Sequence, residues 1–436
     1  MKSKVLVKPR DIFRQFNDVV IDFLDDDPNH ILMAYSNTNA FAPGIRKVHV
    51  VSGKSQIVKG GNEKIQFWYT DLTGTPRVGQ GRKDNTSAEK WYLKIRNAAD
   101  DTWRDYSDYP GLEPDVDIFG FTKNPNEMII GAYNGKDTRG LYIYDLEAKK
   151  QTRKIFHDDT YDAQNVVQNL QGDVIGASLI TDSKEIVLLD DYRTALDRIK
   201  AQTPGYSIDY IDQSRDGDTI LFKASHAYDP GLLMAFDSRT GKSKPLVKYR
   251  ENLPSSEMGM VIPVNYPARD DFQVPAYVTL PPVIADTAQI KSLPFIILPH
   301  GGPYARSSEH FDYLAQFFAS RGFGVLQMNF RGSAGYGKSY EDAGRKNWVV
   351  MQEDVEDGTR WLIKNGYADP ERVCIAGWSY GGYAALMGAI KNPELYACSI
   401  SMAGVTDIQD MIQDMKKYRF GRLAAQNFVL KGFEDK

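Results

Sequence analysis

Residues 372–382 read Arg372-Val373-Cys374-Ile375-Ala376-Gly377-Trp378-Ser379-Tyr380-Gly381-Gly382. An apolar, strand-like run enters a turn with glycines on both sides of one serine, and Gly382–Ile390 continues with the apolar spacing of a helix. A chain that passes from strand to helix this abruptly leaves no room for side chains at Gly377 and Gly381. The pattern therefore predicts Ser379 in a strained backbone conformation, with its hydroxyl clear of the sheet and a helix N-terminus beside it.

G-x-S-x-G between a strand and a helix is the arrangement that presents a nucleophilic serine in α/β-hydrolases. Upstream, the strand Phe295–Leu298 runs into Pro299-His300-Gly301-Gly302-Pro303. Acyl transfer needs donors aimed at the developing oxyanion, worth about 3–4 kcal/mol for one donor. The backbone N–H of Tyr380 supplies one in this reading, and the N–H of Gly302, in a loop whose backbone can approach substrate closely, supplies the other. His300 precedes the nucleophile and is read as a structural hydrogen-bonding residue. From about residue 260, strands (Val274–Leu280, Phe295–Leu298, Gly324–Asn329) alternate with helices (Phe311–Arg321, Asp354–Asn365), the mark of an α/β fold with a mainly parallel sheet.

The first 250 residues are different. Short β-rich segments are separated by Gly, Asn and Asp turns, and several look like one unit copied. Met128–Tyr133 is followed by Gly140–Asp145, Val174–Ser178 by Glu185–Asp190, and Thr219–Ser225 by Gly231–Asp237; the starts lie 46 and 45 residues apart. Ile31–Tyr35 lies about two periods before residue 128, with Trp91–Ile95 in the copy between. A period near 45 suits radial four-stranded blades of a β-propeller, about five of them; a β-sandwich would not explain the period. Trp68, Tyr69, Trp91 and Trp103 are read as inter-blade packing in preference to a ligand cage. The expected division is a propeller over 1–255, partial at about five blades, and an α/β-hydrolase catalytic domain over 256–436, incomplete at its C-terminus.

Composition narrows the partners. With 53 basic and 57 acidic side chains, a net charge of −4, the chain has no electrostatic attraction for nucleic acid or an anionic membrane. No apolar stretch is long enough to span a bilayer. Met1–Lys8 holds an apolar run of three residues, so no secretory leader is visible and the compartment stays open. Cys374 and Cys398 are read as buried reduced thiols, since two cysteines make no disulfide framework. No cofactor or metal site is expected.

His300-Gly301-Gly302-Pro303, Asn329-Phe330-Arg331-Gly332-Ser333 with Gly335-Tyr336-Gly337, and Gly377-Trp378-Ser379-Tyr380-Gly381-Gly382-Tyr383 together resemble the prolyl oligopeptidase family. They most resemble its acylaminoacyl-peptidase and dipeptidyl-peptidase-like branch. The resemblance implies a serine peptidase acting on short peptides, with the propeller covering the active site. It carries Ser379 over as nucleophile, Tyr380 and Gly302 as oxyanion donors, and Arg331 and Tyr336 as structural support. It also implies an Asp and a His after the serine, and seven blades. Here the six histidines are at 30, 49, 157, 226, 300 and 310, and none follows Ser379. Asp407 is read as a turn residue. The expectation is therefore an inactive fragment of a longer peptidase that lacks the triad Asp and His. A carboxylesterase or lipase with the same elbow is one alternative, although its oxyanion loop more often reads His-Gly-Gly-Gly and it would lack the propeller. A propeller binding protein with a degenerate hydrolase domain is the other.

Overall fold

A computed structural model describes residues 19–36, 42–83, 91–169, 171–284, 290–417 and 425. Met1–Lys8, read above for a leader, lies outside them. Five separate antiparallel sheets follow one another along the first half. The first contains β1 (Val20–Asp22), β2 (His30–Tyr35), β3 (Gly44–His49) and β4 (Ser55–Lys59). The second contains β5 (Ile65–Thr70), β6 (Pro76–Arg82), β7 (Trp91–Arg96) and β8 (Trp103–Asp105). The third contains β9 (Asp117–Phe121), β10 (Glu127–Ala132), β11 (Gly140–Asp145) and β12 (Lys150–Phe156). The fourth has β13 (Ala163–Gln168), β14 (Val174–Ile180) and β15 (Lys184–Leu188), and the fifth has β16 (Ser207–Gln213), β17 (Thr219–His226), β18 (Asp229–Asp237) and β19 (Lys242–Lys248).

Each sheet packs its apolar face on the next, which makes this a five-bladed propeller. Leu32 and Ile45 of the first meet Ile65, Trp68 and Tyr92 of the second; Val78 and Leu93 of the second meet Ile118, Met128 and Ile130 of the third. Ile129 and Ile143 then meet Val174, and Ile175 and Ile186 meet Ile208 and Phe222. Trp68 sits in the first of these seams, edge-on to Trp103 at 5.8 Å, and its indole N–H donates to the Pro43 carbonyl (2.7 Å).

One blade departs from the expected four strands. The fourth sheet has three strands among the described residues and is followed by helix α1 (Asp190–Gln202). The cause is local: Tyr192, Ala195, Leu196 and Ile199 recur with a helical period and lay one apolar face on the seam between the fourth and fifth blades.

The second half builds one six-stranded sheet from β20 (Val261–Pro267), β21 (Gln273–Thr279), β22 (Leu293–Ile297), β23 (Gly324–Met328), β24 (Ala368–Trp378) and β25 (Cys398–Met402), in the order β20-β21-β23-β22-β24-β25. β20–β21 and β21–β23 pair antiparallel; β23–β22, β22–β24 and β24–β25 are parallel. Helices α2 (Tyr313–Ala319), α3 (Lys338–Lys346), α4 (Trp348–Lys364), α5 (Tyr380–Lys391) and α6 (Ile408–Lys416) complete the α/β-hydrolase architecture. Phe295, Ile297, Val373 and Ile375 are wholly buried at its centre. From β22 the chain crosses to β23 on one side and then to β24 on the other. Strand order reverses there, and the loops after β22 and β24 diverge to leave a crevice.

The two cysteines are a correction. Cys374 and Cys398 stand opposite each other on parallel neighbours β24 and β25, Cα–Cα 4.7 Å, and are joined by a disulfide, so they are not reduced thiols. Their approach depends on strand register across 24 residues, which composition does not encode.

Candidate active site

The crevice brings the sequence-predicted residues together. Pro299–Pro303 follow β22, and Ser379 follows the adjacent β24. Ser379 has φ 58° and ψ −117°, a left-handed conformation that costs a non-glycine residue on the order of 1–3 kcal/mol. The turn is held by its amide donating to Met402 O (2.9 Å) and by the Tyr383 amide donating to Ser379 O (3.1 Å). A Cβ at Gly377 would lie 2.3 Å from the backbone of Gly381, and one at Gly381 would lie 2.2 Å from Pro299 O. These contacts are why the elbow needs glycine on both sides.

Tyr380 is the first residue of α5, so its N–H has no partner within the helix and lies at the positive end of the helix dipole. Gly302 has φ +125° and lines the same cavity as Ser379 and Tyr380. That cavity, about 440 Å³, is otherwise walled by aromatic and apolar side chains: Tyr304, Trp348, Tyr383, Val405, Met411 and Met415. The sequence reading missed this wall. Its members come from four separate stretches, and the only local signal was the aromatic density around 304, 348 and 380–383. The Tyr380 ring is packed among Phe330, Trp348 and Tyr383, and its hydroxyl has no hydrogen-bond partner among the described residues.

His300 is not among the residues that line the cavity of Ser379. It stacks on Phe330 (4.3 Å between ring centres, 18° between planes), donates from Nδ1 to Gly301 O (2.8 Å), and has Nε2 2.8 Å from Ser333 Oγ. Burial pushes its pKa down to about 4, so near pH 7 the ring is neutral and Nε2 accepts from the Ser333 hydroxyl. None of the six histidines is hydrogen-bonded to Ser379. Asp407 caps α6, accepting from the Gln409 (2.8 Å) and Asp410 (3.0 Å) amides.

Arg331 and Tyr336 brace the loop beneath. Arg331 donates from Nε and Nη2 to the wholly buried Asp354 and from Nη1 to Asp270; its own amide also donates to Asp354 Oδ2 (2.8 Å). Burial pushes the Asp354 carboxyl upward, and the guanidinium opposes that push. The Tyr336 hydroxyl accepts from Arg306 Nη2 and Asn329 Nδ2, both at 2.7 Å. Among the described residues, no group of three or more His, Cys, Asp or Glu side chains is placed to hold a metal ion, and no helix is long and apolar enough to cross a membrane.

A serine on a strand–helix elbow, in a cavity that Gly302 and Tyr380 also line, in a chain that carries a propeller, defines a propeller-bearing α/β-hydrolase. Comparison with known proteins takes this one step further. Residues 309–427 match the prolyl oligopeptidase family, a family of serine peptidases. The chain is similar to dipeptidyl aminopeptidase BIII of Pseudoxanthomonas mexicana, 27% identical over 398 residues, covering 90% of this chain and 57% of that protein. It is also similar to the acylamino-acid-releasing enzyme of Mus musculus, 28% identical over 202 residues, covering 42% of this chain and 27% of that protein. The crystal structure of a puromycin hydrolase shares the fold at TM-score 0.70 and 15% identity, covering 94% of this chain and 64% of that one. The chain thus spans 57% of the length of the first curated relative and less of the second.

Proposed function

We propose that this chain carries the nucleophile and oxyanion half of a serine peptidase site that cleaves short peptides beside an apolar residue. The observation that carries the reading is Ser379, at φ 58°, on the mouth of an apolar cavity that Gly302 and Tyr380 also line. In the proposed reaction Ser379 Oγ attacks the scissile carbonyl carbon and gives its proton to a base. The Tyr380 and Gly302 amides stabilise the oxyanion, and the amine leaves with a proton from the conjugate acid. Water then hydrolyses the acyl-serine by the same route. The aromatic wall seats an apolar side chain of the substrate, and the propeller side of the crevice limits access to short peptides.

The base is the missing part. His300 is occupied with Gly301 and Ser333, and no histidine follows Ser379 in these 436 residues. The proposal therefore places the general base, and the acid that orients it, outside this chain. Loss of triad function costs on the order of 10⁶-fold in turnover, while oxyanion hole and binding retain about 10³–10⁴-fold over water. Residues 1–436 should thus cleave chromogenic peptides barely above background. A fluorophosphonate should still label Ser379 slowly, and Ser379→Ala should remove that label. Robust turnover by residues 1–436 that Ser379→Ala abolishes would place a base within this chain and overturn that part of the reading.

A further inference from the structure

Helix α3 begins against the propeller and ends against the cavity. The residue at its N-cap, Gly337, has no side chain with which to cap it. The cap comes instead from a loop of the third blade, 202 residues away. Asp137 Oδ1 accepts from the Ser339 amide (2.8 Å), Oδ2 from the Ser339 hydroxyl (2.7 Å), and its backbone carbonyl from the Lys338 amide (2.9 Å). Asp162, from the loop between the third and fourth blades, adds a contact from Oδ2 to the Gly337 amide (3.3 Å), and its own amide donates to Gly335 O (3.1 Å). These groups satisfy amides that a helix start leaves without partners, and the carboxylates lie at the positive end of the dipole.

The other end of α3 touches the proposed site. The Arg345 guanidinium lies 4.3 Å over the Tyr304 ring, which walls the cavity two residues after Gly302. Asn347 closes α3 and also caps α4, whose first residue is Trp348, another wall. Between the ends α3 has no slack. A Cβ at Gly344 would lie 2.5 Å from Gly332 Cα, and the Tyr340 hydroxyl donates to Asn329 O (2.6 Å). Movement at the capped end is therefore transmitted along the nine residues of α3 to Tyr304 and Trp348.

We infer that Asp137 is a positioning residue: by capping α3 from the propeller it holds the Tyr304 loop, and with it Gly302, in register with Ser379. The inference rests on the peptidase reading only for its catalytic meaning; the mechanical coupling stands apart from it. Hydrogen exchange of residues 1–436 tests the coupling through two reporters that flank Tyr304. These are the Ser307 amide, bonded to Asn329 Oδ1 (2.7 Å), and the Ala334 amide, bonded to Ala305 O (2.9 Å). Asp137→Ala should speed exchange roughly tenfold in 338–346 and at both reporters, with β10 unchanged, as expected for loss of a cap in a locally opening unit. Asp137→Asn, which keeps an acceptor for the Ser339 amide, should stay within about twofold of wild type. Acceleration confined to the first turn of α3, or equal effects of Ala and Asn, would overturn the inference. In parallel, fluorophosphonate labelling of Ser379 should slow severalfold in Asp137→Ala and recover in Asp137→Asn. Absence of labelling in the wild type would count against the peptidase reading, and the exchange experiment would still decide the coupling.

Discussion

Ser379 and Gly381 show how little freedom the elbow allows. The serine takes a left-handed backbone that only a rigid surround maintains, and Gly381 lies so close to Pro299 O that an added methyl would stand 2.2 Å from it. Gly381→Ala should force the start of α5 away from the loop that carries Gly302, and fluorophosphonate labelling of Ser379 should fall more than tenfold. Labelling at the wild-type rate would show that the loop yields without cost. His300 gives a prediction with a definite sign. Its folded pKa, about 4, lies below the ordinary value of 6.5, so between these values the unfolded chain binds more protons. The stability it supports is present above pH 6.5 and lost as pH falls to 4, by about 3 kcal/mol for a fully buried ring. Denaturant titrations of the wild type should show that extra acid sensitivity, and His300→Gln should lack it; parallel pH profiles would refute the assignment. At this scale the sequence was most legible. Gly377 is constrained by Gly381, four residues on, so that spacing is itself the geometry, whereas Gly381 and Ser379 also answer to the distant Pro299 and Met402 carbonyls. The aromatic wall was not legible, because Tyr304, Trp348 and Met411 meet only after three crossovers.

Elements were legible where their period was local and hidden where a partner lay far away. β22, β23 and β24 could be read from apolar runs, and α4 from its spacing, although α4 starts six residues before the expected Asp354 because Asn347 caps it through the Val349 amide (3.0 Å). Helix α1 was missed because the 45-residue repeat suggested a strand where Tyr192, Leu196 and Ile199 specify a helix. The disulfide was missed because only the β24–β25 register sets Cys374 opposite Cys398. Asp354 on α4 is a further case: nothing nearby in sequence announces that Arg331 will meet it in the core. Its carboxyl is wholly buried and accepts from the guanidinium and from the Arg331 amide. Removing one partner of a buried pair costs about 3–5 kcal/mol, and Asp270, which also pairs with Arg331, places this case toward the lower end. Asp354→Ala should therefore lower the unfolding midpoint strongly. Replacing both partners, Arg331→Met with Asp354→Leu, should recover much of the loss, because the net value of a buried pair over apolar packing is small. A double variant no more stable than Asp354→Ala would show that the pair is needed for more than charge balance.

On the scale of the whole molecule, propeller and hydrolase halves are tied by hydrogen bonds to backbone more than by apolar seams. Arg306, from the loop that carries Gly302, donates to Ile180 O (3.0 Å) and Thr181 O (2.7 Å) of the fourth blade, and stacks at 4.1 Å on Tyr336 of its own half. Tyr277 donates to Asp182 (3.2 Å), and Gln316 donates to Ala227 O (3.0 Å). Hydrogen bonds to a charged group contribute about 1.5–3 kcal/mol each, with incomplete additivity, so Arg306 is the strongest single tie in this set. Ile180 ends β14 and Thr181 follows it, so their carbonyls return to water if the guanidinium goes. The cost of Arg306→Ala therefore falls on the coupling between the halves and hardly on either core. In differential scanning calorimetry the wild type should melt in one transition or two closely overlapping ones. Arg306→Ala should separate them by several degrees, with the enthalpy of each half kept. Arg306→Lys should behave like Ala, because an ammonium cannot reach two carbonyls and stack on Tyr336 at once. Unchanged overlap in both variants would mean that the halves stay joined through contacts such as those of Asp137, Asp162, Asp182 and Gln316 without Arg306.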